Sequence, residues 1–147
     1  MDDDRMLRMT ALNARRFLLG MVAYWLVFGL ITTFSPGLMD LFQTPEGIAS
    51  KTDFSNHVWS HDGLDILAIC VLVFAISRTR FTPATLRAVG VAALMPTIGI
   101  AYSLAATPYW NSLFIGAGAG CLAFVVGAFF FAARLEREST SRSSTAG

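Results

Sequence analysis

The sequence predicts an all-α integral membrane protein, a four-helix bundle with both termini in the cytoplasm. Three observations lead there. Hydrophobic residues make up 54% of the 147 and charged residues only 14%, too little charge to cover a soluble domain of this length. Mean hydropathy is +0.57. Long uncharged runs alternate with short segments that hold the basic residues. The same composition excludes a disordered chain and a disulfide scaffold. A net charge of +1 leaves no broad basic surface, so no nucleic-acid partner is expected.

The first span is expected over about 17–36. It reads FLLGMVAYWLVFGLITTF without a charge and stops at Ser35-Pro36-Gly37, a turn signal. A cleaved signal peptide would need a shorter apolar core and a small-x-small site, and ITTFSPGL offers none. Residues 1–16 form a polar segment before the span.

The second span is placed at about 58–77. Residues 66–77 alone are too short to cross, and the backward extension takes in His61, Asp62 and Asp65. Ser55 or Ser60 is the expected cap, because a serine oxygen can accept from the free N–H groups of a helix start.

Residues 88–133 contain no charge, enough for two spans. Thr107-Pro108-Tyr109-Trp110-Asn111 breaks the run, giving spans at about 86–106 and 112–133. Pro96 should kink the third, since it cannot donate its backbone hydrogen bond and crowds the carbonyl of Ala92. The tail 136–147, ending ESTSRSSTAG, is too polar to offset ordering entropy and is expected to be disordered.

Four spans bring both termini to one side with Arg5, Arg8, Arg15, Arg16, Arg78, Arg80, Arg87, Arg134, Arg137 and Arg142. Those are ten of the 11 basic residues, and the opposite side holds only Lys51. The positive-inside rule assigns the arginine side to the cytoplasm. The expected location is therefore the inner (plasma) membrane of a cell. Trp59, Tyr109 and Trp110 suit an outer aromatic belt, while Trp25 should pack inside.

Apolar side chains gain little by leaving lipid for one another, so close backbone approach and hydrogen bonds must hold such helices together. Gly116 and Gly120 form a GxxxG in IGAGAGCLAF, continued by Ala123 and Gly127. This stripe is expected to pack inside the bundle, with a homo-oligomer seam as the alternative. Cys70 and Cys121 lie in separate apolar runs with no CxxC and read as packing residues.

The residues that most need explanation are His57, His61 and Asp65, with Asp53 and Asp62 nearby. Positions 57, 61 and 65 are four apart and share a winding face. Asp65 lies 13 residues before Arg78, about 20 Å along the axis, which places it within the membrane facing the bundle. His61, one turn above, is its expected partner. Thr32, Thr33, Ser35, Tyr102, Ser103, Thr107, Asn111 and Ser112 make the same half of the other spans polar. Together they predict an outward-facing pocket with His57, His61, Asp62, Asp65, Tyr102 and Ser103 as its candidate residues. Three uses are open: structural bonding at the loop, binding of a small lipophilic molecule, or chemistry. For chemistry, His57 and His61 are a possible metal pair and His–Asp a base with its orienter. No HExxH, P-loop, nucleophile elbow or dinucleotide fingerprint is present.

The layout resembles the small DoxX-like four-helix membrane proteins of bacteria. The likeness rests on four spans, an outer first loop and the passage HDGLDILAICVLVFAISRTRFTPATLRAVGVAAL. It implies an inner-membrane bundle, and for some relatives quinone or thiol redox partners. The first span lacks the charged residue expected near its start, no cysteine motif is present, and no catalytic residue is carried over. The leading expectation is a binding module or accessory subunit, in contact with lipid and with a possible protein partner or second copy. The alternative is a membrane enzyme or redox/metal protein using the His/Asp site.

Overall fold

A computed structural model describes residues 3–145. Five α-helices follow in order: α1 (Asp3–Phe34), α2 (Pro45–Ala49), α3 (Asp53–Arg78), α4 (Pro83–Ala106) and α5 (Ser112–Thr145), with a 3-10 helix at Pro36–Phe42. No strand occurs among the described residues, only one isolated bridge between Gln43 and Trp110. α1, α3, α4 and α5 are each long and apolar enough to cross a membrane. The protein is an all-α four-helix bundle.

The helix starts depart from the sequence reading, and the reason is capping. α3 begins at Asp53, five residues before the expected span. Thr52 is its cap: Thr52 Oγ1 accepts from Ser55 N–H at 3.2 Å, and Ser55 Oγ accepts from Thr52 N–H at 3.3 Å. Ser55 is thus the third helical residue, and the reciprocal pair satisfies two otherwise free donors. Thr82 and Thr85 repeat the device at α4, with Pro83 in the first turn, where its missing N–H costs nothing. α4 runs through Pro96, with Thr97 Oγ1 donating to Ala93 O at 2.9 Å.

Both terminal segments are helical where the sequence reads polar chain. α1 has 32 residues, about 48 Å, and so outruns a hydrocarbon core of about 30 Å. α5 has 34 residues and continues to Thr145, where disorder was expected; residues 146–147 lie outside the described residues. The two extensions brace each other. Thr10 Oγ1, buried, donates to Glu138 Oε1 at 2.9 Å, and Arg134 Nε donates to the same oxygen at 3.0 Å. Arg87 pairs with Glu136 beside them. These polar contacts replace the apolar burial that the tail's composition lacks.

At the opposite end the first loop is tied to the α4–α5 turn. Thr44 N–H donates to Tyr109 O at 2.9 Å and Asn111 N–H to Phe42 O at 3.0 Å. Asn111 Nδ2 also donates to Leu41 O at 2.7 Å and Gln43 O at 3.1 Å. Lys51 pairs with Asp40 and holds the loop to itself. The chain therefore runs up, down, up and down between an arginine end and a Lys51 end.

The closely packed pairs are α1 with α3, α4 with α5, and α1 with α5, so the helices lie in the order α3, α1, α5, α4. Glycine permits all three approaches, with Gly90 of α4 against Phe129 and Ala128, and Gly118 of α5 against Ile100. Gly63 of α3 sits against Thr32, Thr33 and the α1 backbone, and Gly29 of α1 against Leu67 and the Gly63 carbonyl. Gly120 takes the Tyr24 ring and Gly127 the Phe17 ring. Gly116 does not belong to this packing: it is exposed, and a Cβ there would meet nothing. One turn separates it from Gly120, but four residues advance about 40° past a full turn and carry it off the contact face.

The core is concentrated toward the arginine end. Leu18, Met21, Cys70, Val73, Leu86, Val89, Ala93 and Val125 close it there. Trp25 is buried at its upper edge, as the sequence expects.

Candidate functional site

Above that core, toward the Lys51 end, the four long helices stand around a cavity of about 670 Å³. All four contribute walls. Tyr24, Trp25, Phe28 and Thr32 come from α1; Val58, Trp59, Asp62, Asp65, Ile66 and Ile69 from α3. Met95, Pro96, Gly99, Ile100 and Ser103 come from α4, and Phe114, Ala117 and Cys121 from α5, with Trp110 just before it.

The α1 and α5 walls are fixed by polar and ring contacts. Tyr24 Oη donates to Ala117 O at 3.0 Å, which spans the two helices. Trp110 stacks on Phe114 at 4.0 Å between ring centroids, and Trp59 meets Trp110 edge-on at 5.3 Å. Trp59 and Trp110 are half-buried at the cavity rather than simply facing lipid as a belt. Thr32 Oγ1 is spent within its own helix, donating toward Phe28 O and Gly29 O. Thr33 Oγ1 is buried against Gly63 without a hydrogen-bond partner.

The α3 and α4 walls are different. Their lining residues are in large part exposed: Phe54 is 76% and Met95 70% accessible, and Asp62, Asp65 and Gly99 are exposed as well. α3 and α4 are not among the closely packed pairs. The cavity thus opens sideways, between these two helices.

The structure divides the residues proposed from sequence. Asp62, Asp65 and Ser103 line the cavity. His57, His61 and Tyr102 do not, and Tyr102 is 73% exposed. The cause is helical phase. At about 100° per residue, positions 58, 62, 65 and 69 stay within a narrow sector, whereas strict steps of four drift by about 40° each. Measured from Val58, the α3 lining runs from about −40° at Phe54 to about +100° at Trp59, and His61 at about −60° and His57 at about −100° fall beyond its edge. The two imidazoles lie near each other, with ring centroids 6.3 Å apart. His61 makes no hydrogen bond or ion pair with Asp65, the partnership expected from sequence. Among the described residues no group of three or more His, Cys, Asp or Glu is placed to hold a metal ion.

Sequence reasoning missed the aromatic wall. Its signal was present: aromatic residues stand four apart at Tyr24 and Phe28 of α1 and at Trp110 and Phe114 around the start of α5. In a chain so apolar that pattern marks helix packing and does not separate a cavity wall from a filled core.

Chemically the site pairs two carboxylates with a mostly apolar enclosure, about a third of whose residues are aromatic. Neither Asp62 nor Asp65 makes a hydrogen bond or ion pair with another described residue. No Lys, Arg or His lines the space. No family model, curated protein or solved structure matches the chain.

Proposed function

We propose that this chain is a multi-pass membrane protein that binds a small lipophilic molecule between its own helices, as a binding module or accessory subunit. The observation that carries this reading is the cavity of about 670 Å³ framed by all four long helices. Ligand pockets run to about 300–1,000 Å³ and are mostly apolar with a few polar groups. Packed interiors rarely keep voids much larger than a water, because an unfilled wall forfeits dispersion contacts. A chain that braces both bundle ends and leaves its middle open is suited to hold a guest. The alternative, chemistry at a His/Asp site, draws less support, because the lining carries carboxylates and no imidazole. The location we favour is the plasma membrane with the Lys51 loop outside, on the strength of the arginine distribution.

Gly99 offers a direct test. It lines the cavity, and a Cβ added there meets nothing within 4 Å. Gly99→Phe should fill the space without disturbing the fold. Wild type and variant, purified from membranes, are extracted with organic solvent and assayed by mass spectrometry. The expected result is a small molecule at near-stoichiometric level in wild type, reduced at least tenfold in the variant, with melting temperature equal or higher. Equal content in both proteins, or none in wild type, overturns the reading.

A further inference from the structure

The cavity's lining has a sign as well as a size. Asp62 and Asp65 face it from one helix, three residues apart, which makes them neighbours on that surface. Like charges so placed repel each other, and a carboxylate at membrane depth is costly unless something compensates it. Among the described residues no cationic side chain lines the cavity beside them, and the one favourable charge interaction comes from His61, next to Asp62 in sequence but outside the lining. The one lysine is committed to Asp40 in the loop. Every described arginine side chain is exposed and none lines the cavity. His61 and His57, the nearest titratable cations in sequence, lie on the neighbouring face of α3 and outside the lining.

A second, independent feature points the same way. The α1 and α5 sides of the cavity are rich in aromatic rings: Tyr24, Trp25 and Phe28 from α1, Phe114 from α5 and Trp110 just before it. Aromatic faces carry negative quadrupole potential and attract a cation within about 6 Å of the ring, more strongly where water is excluded. Such rings also give an apolar body a large flat contact. An inorganic ion would gain little here, since no further His, Cys, Asp or Glu converges on the pair. An anion would meet two carboxylates and the rings' negative faces.

We propose that the cavity takes an organic cation, an ammonium- or phosphonium-type molecule whose charge sits at Asp62 and Asp65 and whose apolar body lies on the aromatic wall. The inference rests on the cavity being a binding site, the reading given above. It adds the sign and chemical class of the guest.

All three tryptophans of the chain, Trp25, Trp59 and Trp110, line the cavity. Their fluorescence is therefore a local readout. Purified protein in mild detergent is titrated with three probes of similar shape: tetraphenylphosphonium, tetraphenylborate and neutral triphenylphosphine oxide. The proteins are wild type, Asp62→Asn, Asp65→Asn, the double Asn variant and Gly99→Phe. The expected result is saturable binding of the phosphonium to wild type, at least tenfold tighter than either other probe. The double Asn variant should weaken it at least tenfold, each single variant less, and Gly99→Phe should remove it. The wild-type comparison across probe charges needs no variant, so it stands even if a substitution unfolds the chain. If the neutral probe binds wild type as tightly as the phosphonium and Gly99→Phe removes both, the cation proposal falls and the binding site remains. If no probe binds saturably, the binding site falls as well.

Discussion

At Gly63 the α3 backbone passes so close to α1 that a Cβ would lie 2.6 Å from the Thr33 amide nitrogen and closer still to two threonine hydroxyls. Backbone cannot yield as a flexible side chain does. Gly63→Ala should therefore cost about 1–3 kcal/mol, the usual range for overpacking. Gly127→Ala should cost less, because the obstruction is the Phe17 ring, which can turn. Gly116→Ala should leave stability within about 0.5 kcal/mol, as at other exposed sites. Melting temperatures in one detergent check the order; a Gly116→Ala loss equal to that of Gly63→Ala would contradict it. GxxxG at 116–120 was legible in the sequence and Gly63 was not. Spacing identifies small residues that share a helix face, but not which face meets a neighbour. Asp62 and Asp65 against His57 and His61 teach the same point. Their types and order drew attention, while membership of the site was decided by phase around the helix.

The long helices were legible because lipid imposes one requirement, an apolar run of sufficient length. Their ends were less so, because ends are set by backbone groups seeking partners. Hydropathy starts the second span near 58, and Thr52 starts the helix at Asp53. The same gap hid the extensions of α1 and α5. Thr10 and Glu138 are 128 residues apart, and nothing local in either segment announces the contact. Thr10→Val keeps shape and removes the hydroxyl. It should destabilise the bundle by about 1 kcal/mol, the net worth of one hydrogen bond. It should also speed amide exchange over 134–141 while leaving the loop around Asn111 unchanged. Uniform exchange changes at both ends would show that the extensions are not braced locally.

For the whole molecule, span number and the arginine bias follow from composition, whereas the packing order α3, α1, α5, α4 does not. Hydropathy measures each helix against lipid and is silent on which helices pair, which is why the open side between α3 and α4 came only with the structure. Sidedness is tested with single cysteines in a background lacking Cys70 and Cys121. Glu46 and Arg137 are both exposed and lie at opposite ends. In intact cells a membrane-impermeant thiol reagent should label Glu46→Cys and spare Arg137→Cys until the membrane is opened. The reverse pattern would invert the proposed orientation.

The sideways opening has a consequence for how occupancy depends on dose. A guest that enters between α3 and α4 arrives by diffusion within the bilayer, and its effective concentration is the membrane concentration. Apparent affinity referred to the aqueous phase is then the product of two equilibria, partition into lipid and capture from lipid. Lengthening an alkyl chain on the guest favours the first by about 0.8 kcal/mol per methylene, with no new contact to the protein. Hydrophobicity would govern how much reaches the site, and charge which of the arrivals stays.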